Sequence, residues 1–398
     1  MTNGMPLRGY KVLDLTQARA GPVAVRLLAD WGADVIRIQP PGEQAESVVK
    51  DGLEQNDSDL QNLHRNKRSL ALNLKLEAGH QVFMQMAQQS DIVVENFRTE
   101  VKHRLKVDYE SVVKVNPQIV YASISGFGQT GPYRTRPGVD QITQGTSGLM
   151  SVTGHPGQGP VRVGIAISDT SAGMFLGQGV LLALLHRERT GEGQWVHTSL
   201  LEAMMSKLDF QGSRYTMDGE IPEQQGNYHP TNVPMGTFNA SDGYVNVSAS
   251  SERMFRGFCE ALEVTHLLND PRFADEYTRL THRQEINAEV DEVTRRYTVQ
   301  ELVERLNPAG VPCGPVYDIG EAFEDEQVKH LNMVWPAPHT ERGKIGLVRT
   351  PINLSKVTHP GTFSRSAPVV GEHSIEVLQE FGFSEQQIVE LKEQGATN

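Results

Sequence analysis

Within the first 125 residues, apolar runs of strand length alternate with segments of helical spacing. "YKVLDLT" (10–16) is a short apolar strand ending in polar residues. "GPVAVRLLADWG" (21–32) has helical spacing and stops at a glycine, and "DVIRIQ" (34–39) is a second strand closed by "PPG". A helix between two strands implies a right-handed crossover and parallel pairing. "HQVFMQMAQQ" followed by "DIVVENF" repeats the unit, and "PQIVYASISGFG" adds a strand that runs into a glycine-rich loop. The alternation predicts an α/β fold, doubly wound and Rossmann-like, on a parallel sheet.

The texture changes near residue 217. "MDGEIPEQQGNYHPTNVPMG" (217–236) is polar and rich in Gly and Pro, as a linker or loop is. "TFNASDGYVNVSA" reads as a hairpin around Asp242-Gly243. Residues 252 to about 306 are helical and charged, "AGVPCGPVYD" holds a short strand, and the tail "SIEVLQEFGFSEQQIVELKEQG" is a pair of short helices. The small domain is therefore α+β.

Composition narrows the function. At 398 residues with net charge −12, the chain lacks the basic surface that nonspecific nucleic-acid binding needs. Its two cysteines, Cys259 and Cys313, form neither a metal-ligand spacing nor a disulfide framework. The N-terminus shows no apolar signal core, and no run approaches the roughly 18 apolar residues of a membrane span. The expectation is a cytoplasmic protein with no nucleic-acid or membrane partner. The first βα turn, "DLTQARAGP", is not GxGxxG, so NAD and FAD are disfavoured, and Walker, HExxH and GxSxG patterns are missing. No metal is expected.

Such a sheet binds ligands at the carboxyl ends of its strands. Arg19, Arg37, Asn73, Lys75, Asn96, Phe97 and Arg98 fall there. Arg37, Lys75 and Arg98 suit phosphates through charge-assisted hydrogen bonds, and Phe97 suits an adenine face. Single exposed charges need no function, so the case rests on their recurrence after strands.

One carboxylate stands apart. In "GIAISDTSAG" (164–173), Asp169 sits among small residues before an apolar run. Ser168, Asp169 or Thr170 could cap a helix beginning near Ser171, and spacing alone favours that reading. Alternatively the helix start lowers the pKa of Asp169 and keeps it ionised as a nucleophile toward an acyl carbon.

Several longer stretches bear on the choice: "PLRGYKVLDLTQARAGP", "LADWGADVIRIQPPG", "HRNKRSLALNLK", "DIVVENFR", "SISGFGQTGPY", "PGVDQITQGTSGLM", "RTGEGQWVHTSLLEA", "AGVPCGPV" and "APVVGEHSIEVL". In this order they resemble the family III CoA-transferases, the CaiB/BaiF family, which includes formyl-CoA transferase and carnitine CoA-transferase. The resemblance implies an interlocked homodimer. It divides the chain into 1–216 (large domain), 217–226 (linker), 227–325 (small domain), 326–350 (linker) and 351–398 (the rest of the large domain). It implies coenzyme A as cosubstrate, an acyl-CoA donor, a carboxylic acid acceptor, and Asp169 as nucleophile with Asp140 as a catalytic neighbour. CoA contacts carry over to Arg19, Ala20, Leu72, Asn73, Leu74, Lys75, Asn96, Phe97, Arg98 and Arg104.

The chain also departs from formyl-CoA transferase. Pro137 and Val139 stand where that enzyme has Lys and Tyr, and "SASSERM" occupies the region of its glycine-rich loop. Both departures argue against formate or oxalate as acceptor; the sequence does not name the acceptor, and the expectation is a short dicarboxylate such as succinate or a methyl-branched C5 diacid. Arg136, His229 and Arg253 are candidate anion anchors near the pocket, although base rates for charged side chains favour a surface role for each. A 2-methylacyl-CoA racemase of this fold pairs aspartate with histidine in "GHD". Here "PGVD" puts Val139 at the histidine, and valine exchanges no proton. A noncatalytic CoA-binding protein is the other alternative, and it would not need Asp169.

Overall fold

A computed structural model describes residues 4–42, 57–358 and 360–398. The chain forms two compact units. The first comprises residues up to Leu149, Arg162–Glu220 and Asn332–Asn398, and the second comprises Met150–Val161 and Ile221–Leu331.

The first unit is built on six parallel strands: β1 (Lys11–Asp14), β2 (Asp34–Gln39), β3 (Lys67–Ala71), β4 (Ile92–Glu95), β5 (Val120–Ser125) and β6 (Gln194–Ser199). Their order is β3-β2-β1-β4-β5-β6, so the winding reverses between β1 and β4. Successive side chains point to opposite faces, and both faces are covered. Val12, Val35, Val94 and Val120 pack with the helices Ala20–Asp30 and Ile167–Thr190. Leu13, Ile36, Val93 and Tyr121 pack with the helix Glu77–Gln88 and the tail helices Ser374–Glu380 and Glu385–Glu393. Parallel strands buried on both faces read as continuous apolar runs, and β1, β2, β4 and β5 do.

β3 does not read that way. "KRSLA" begins with three polar residues, yet all five positions are buried. Lys67 Nζ donates to Asp14 Oδ2 at 2.8 Å, with both side chains fully enclosed. Burial lowers Lys67 to about 8, against the pull of Asp14. Arg68 binds Asp34 beside it and Glu376 and Glu380 on a tail helix. The region 326–350, expected as a linker, carries an antiparallel hairpin of β10 (Val334–His339) and β11 (Gly343–Val348).

The helix Ile167–Thr190 is long and apolar enough to cross a membrane, contrary to the sequence expectation that no such run exists. Half of its most apolar stretch is buried in the fold. Its small residues allow this: a Cβ on Gly173 would stand 2.5 Å from the carbonyl oxygen of Ala20. Gly191, at φ 76°, ends the helix in the left-handed conformation.

The second unit holds an antiparallel sheet of β7 (Met235–Asn239), β8 (Tyr244–Ser248) and β9 (Cys313–Pro315). Its core gathers Phe238, Val245, Phe255, Phe258, Ile286 and Leu302. The Asp242-Gly243 turn joins β7 to β8, as the alternation predicts.

Candidate active site

A cavity of about 690 Å³ opens at the carboxyl ends of β1 to β5, at the reversal of strand order. That is where doubly wound sheets bind their ligands, and the volume suits a cofactor-sized molecule. Its walls are the loops after the strands: Gln17–Ala18, Gln39–Pro40, Leu72–Lys75, Asn96–Thr99, and Ser125–Gly126 with Arg134–Val139.

Side chains at the strand ends shape these loops. Asp14 accepts from the Thr16 N–H and hydroxyl, at 2.9 and 2.5 Å. Glu95 accepts from the Phe97 N–H at 2.8 Å. The Asn96 side chain ties the two loops together. It donates to the Gln17 carbonyl and accepts from the Gln17 N–H, both at 2.8 Å. Between them Ala18 holds φ at 56°, a left-handed conformation that costs an alanine about 1 kcal/mol. After β5, Gly126 and Gly138 touch so closely that a Cβ on either would lie 2.5 Å from the other's Cα. This contact folds the glycine-rich loop back along the wall.

Seven of the residues expected to contact CoA line the cavity: Leu72, Asn73, Leu74, Lys75, Asn96, Phe97 and Arg98. Four do not. Arg19 is paired with Asp59, its Nη1 3.0 Å from Oδ1. Ala20 is buried at the start of its helix. Arg37 is buried within β2, where desolvation lowers its guanidinium to about 10 against Asp14. Arg104 is exposed on the helix Thr99–Leu105. Arg136 lines the cavity, its guanidinium 3.6 Å from the Tyr133 ring centroid. Arg134 joins it, a cation the sequence reading misses although the glycine-rich loop points to the segment. His229 and Arg253 belong to the second unit.

Val139 also lines the cavity, and Asp140 follows it. The Asp140 carboxylate is buried and fully engaged. Oδ1 accepts from the Ser168 N–H at 2.9 Å and the Ser168 hydroxyl at 3.0 Å. Oδ2 accepts from Gln144 Nε2 at 2.7 Å and Arg162 Nη2 at 3.0 Å. Asp140 thus caps the helix Ile167–Thr190 from a distant part of the chain. The preceding Ala166 makes no side-chain cap. The helix therefore starts before Ser171, and Asp169 lies inside its first turn rather than at its cap.

Asp169 contrasts with Asp140. It is half-buried, and no described residue donates a hydrogen bond to its carboxylate. The expectation that the helix start lowers its pKa fails. Desolvation, then repulsion from Asp140, push it up to about 6, with Arg19 pulling the other way. At pH 7 the carboxylate form still predominates. Neither acid is among the residues that line the cavity, but Asp140 directly follows Val139, which is: Asp140 is consumed by the scaffold, and Asp169 beside it accepts from no described residue and is raised toward neutrality. Elsewhere His103, Asp108 and Glu110 bring potential metal ligands within 4.8 Å of one another, but Asp108 accepts from Ser111 and the group does not line the cavity.

The sequence profile described as CoA-transferase family III matches residues 7–374. The chain belongs to the family III CoA-transferases. This CoA-transferase is 34% identical to the succinate–glutarate CoA-transferase of Agrobacterium fabrum, over 94% of its own length and 95% of that protein's. It is 34% identical to the succinyl-CoA:mesaconate CoA-transferase of Haloarcula marismortui, over 94% and 96%. A CaiB/BaiF family protein from Brucella suis has a similar structure, with a TM-score of 0.83 and 31% identity, over 95% of this chain and 99% of that one. The resemblance carried by the collinear stretches is borne out.

Proposed function

We infer that this CoA-transferase moves CoA from a short acyl-CoA, such as succinyl-CoA, to a dicarboxylic acid, with Asp169 as the covalent relay. The observation that carries the reading is the free, half-buried Asp169 carboxylate beside the spent carboxylate of Asp140. The two similar enzymes named for succinate with glutarate or mesaconate supply the substrate class.

The steps balance without an added reactant. An Asp169 oxygen attacks the donor thioester carbon, the C–S bond breaks, and CoA thiolate leaves a mixed anhydride. The thiolate attacks the aspartyl carbonyl, releasing the donor acid and forming an aspartyl-CoA thioester. The acceptor carboxylate displaces the thiolate to form a second anhydride. The thiolate then attacks the acceptor's acyl carbon and frees Asp169. Through these exchanges Lys75, Arg98, Arg134 and Arg136 supply the positive charge that the phosphates of CoA need, and Phe97 offers a ring face. The racemase alternative lacks its second base, because Val139 presents methyl groups to the cavity.

We also propose a homodimer. In the first unit Met174, Leu182, Leu185, Met205, Phe210 and Met217 are each at least 43% exposed, apolar side chains that a second copy would cover. Light scattering is expected to give twice 44.1 kDa; a monomer mass at micromolar concentration overturns this.

The activity test offers succinyl-CoA or acetyl-CoA with a panel of carboxylates including glutarate, mesaconate, formate and oxalate. Transfer to a dicarboxylate longer than oxalate, at least about tenfold faster by kcat/KM than to formate or oxalate, is expected. Release of free CoA without any acceptor would make the protein a thioesterase instead.

A further inference from the structure

The Asp169 carboxylate accepts no hydrogen bond from any described residue, so its position depends on what fixes the first turn of its helix and the backbone leading to it. That backbone, residues 162–166, has no helix or strand to hold it. The buried amide of Gln144 does so instead. Gln144 Oε1 accepts from the Val163 N–H at 3.0 Å, and Nε2 lies 3.4 Å from the Ile165 carbonyl and donates to Asp140 Oδ2 at 2.7 Å. Asp140 and Gln144 are four residues apart on the helix Asp140–Thr146, so they share one face. Asp140 grips the first turn that carries Asp169, and Gln144 grips the strap before it.

The chemistry of the position singles out glutamine. The Asp140 side needs a donor, because an ionised carboxylate only accepts, and the Val163 side needs an acceptor. An amide supplies both from one planar group. Asparagine is shorter by a methylene, glutamate loses the donor when ionised, and methionine supplies no N–H.

We propose that Gln144 is a positioning residue for CoA transfer: its amide clamps the 162–166 strap to Asp140 and so sets where the Asp169 carboxylate stands against the thioester. The proposal rests on Asp169 being the nucleophile.

Two variants test it in the full-length protein, using succinyl-CoA and the best acceptor from the panel. Gln144→Met removes all three contacts of the amide at similar volume. The expected result is a kcat about 100-fold lower with KM for succinyl-CoA within about twofold, because a nucleophile misplaced by about 1 Å costs that much while binding elsewhere is untouched. Gln144→Glu is the conservative variant. Protonated, it donates to Asp140 as the amide does. Ionised, it opposes Asp140, with Arg162 the facing cation and Asp169 and Arg19 next in range. Its rate relative to wild type should fall about tenfold or more between pH 6 and pH 9.

A flat ratio across that range overturns the proposal, as does a Gln144→Met protein with wild-type kcat or with kcat/KM lost mainly through KM. If Gln144→Met does not fold, the pH ratio of Gln144→Glu decides alone. Mass spectrometry of Asp169 after a single turnover separates the two readings. No adduct in a wild-type protein that transfers CoA overturns the nucleophile reading and this proposal with it. A wild-type adduct with wild-type rates in both variants overturns this proposal only.

Discussion

Replacing Asp169 with asparagine is expected to lower CoA transfer by a factor of about 10⁴ or more and, at the same time, to stabilise the folded protein above pH 6. The first effect follows from removing the proposed nucleophile. The second follows from the environment that makes Asp169 available. Its carboxylate is half-buried, close to Asp140 and without a donor among the described residues, and its pKa rises from 3.8 to about 6. A raised folded pKa means that the fold disfavours the charged form. The cost is fully present above about pH 6, shrinks as pH falls, and vanishes below about pH 4, where the unfolded chain is protonated as well. The displacement sets an upper bound of about 3 kcal/mol, and partial exposure brings the expected gain to about 1–2 kcal/mol. Urea midpoints of wild type and Asp169→Asn at pH 4 and pH 8 measure it. A gain at pH 8 that disappears at pH 4 is the expected pattern; equal midpoints at both, or a gain independent of pH, would contradict the electrostatic account. The same pKa predicts that wild-type transfer declines as pH falls through about 6.

Asp169 also shows where sequence reasoning reaches its limit. Local rules treat a serine–aspartate–threonine run before an apolar stretch as a cap. The actual cap comes from Asp140, 28 residues earlier, through the Ser168 N–H. No window on the sequence brings those two together. Tertiary structure also reverses the expected pKa shift: the helix start is a local feature, whereas burial, first, and the repelling Asp140 carboxylate, second, come from the fold. The collinear stretches, by contrast, point to Asp169, the proposed nucleophile, without needing its geometry.

The fold was legible wherever burial is apolar. β1, β2, β4 and β5 are short hydrophobic runs, and their alternation with helical spacing fixes a parallel sheet. β3, whose end at Leu72–Lys75 was expected, shows no apolar run because Lys67 and Arg68 are buried by pairing with Asp14, Asp34 and the tail glutamates, which hydropathy does not register. The β10–β11 hairpin was hidden by Pro336 and Pro338, residues that argue against a strand. In a two-stranded ribbon every strand is an edge, and the prolines take the exposed positions while Trp335, Ala337 and His339 face inward. At the cavity, Lys75 and Arg98 were found by their place after strands, but Arg37, assigned to the same strand ends, lies within β2 and is buried inside the sheet. Position after a strand predicts the end of the sheet and leaves open which way a side chain turns.

Lys102→Met is expected to destabilise the fold by about 3–5 kcal/mol and to raise KM for the acyl-CoA about tenfold. Lys102 and Glu95 are enclosed, with Nζ 2.9 Å from Oε1. Lys102 also donates to Gln129 at 2.8 Å and lies 4.9 Å from the Trp195 ring centroid. The second oxygen of Glu95 holds the Phe97 N–H. One buried ammonium therefore connects the loop that carries Phe97 with the glycine-rich loop that runs on to Arg134 and Arg136, two walls of the same cavity. Methionine fills much of the lysine's volume but leaves Glu95 as an unpaired buried acid, and that is the source of the stability loss. The double variant Glu95→Gln with Lys102→Met removes the stranded charge. It is expected to recover about 2 kcal/mol relative to Lys102→Met alone, a coupling that a double-mutant cycle reads directly. The raised KM should persist in the double variant, because Gln129 still lacks its donor and the two walls are no longer joined. Urea denaturation and initial-rate kinetics on the four proteins separate the effects. A loss below about 1 kcal/mol for Lys102→Met would mean that Glu95 takes up a proton without structural cost. An unchanged KM in both variants would mean that the two walls hold their positions independently of the buried pair.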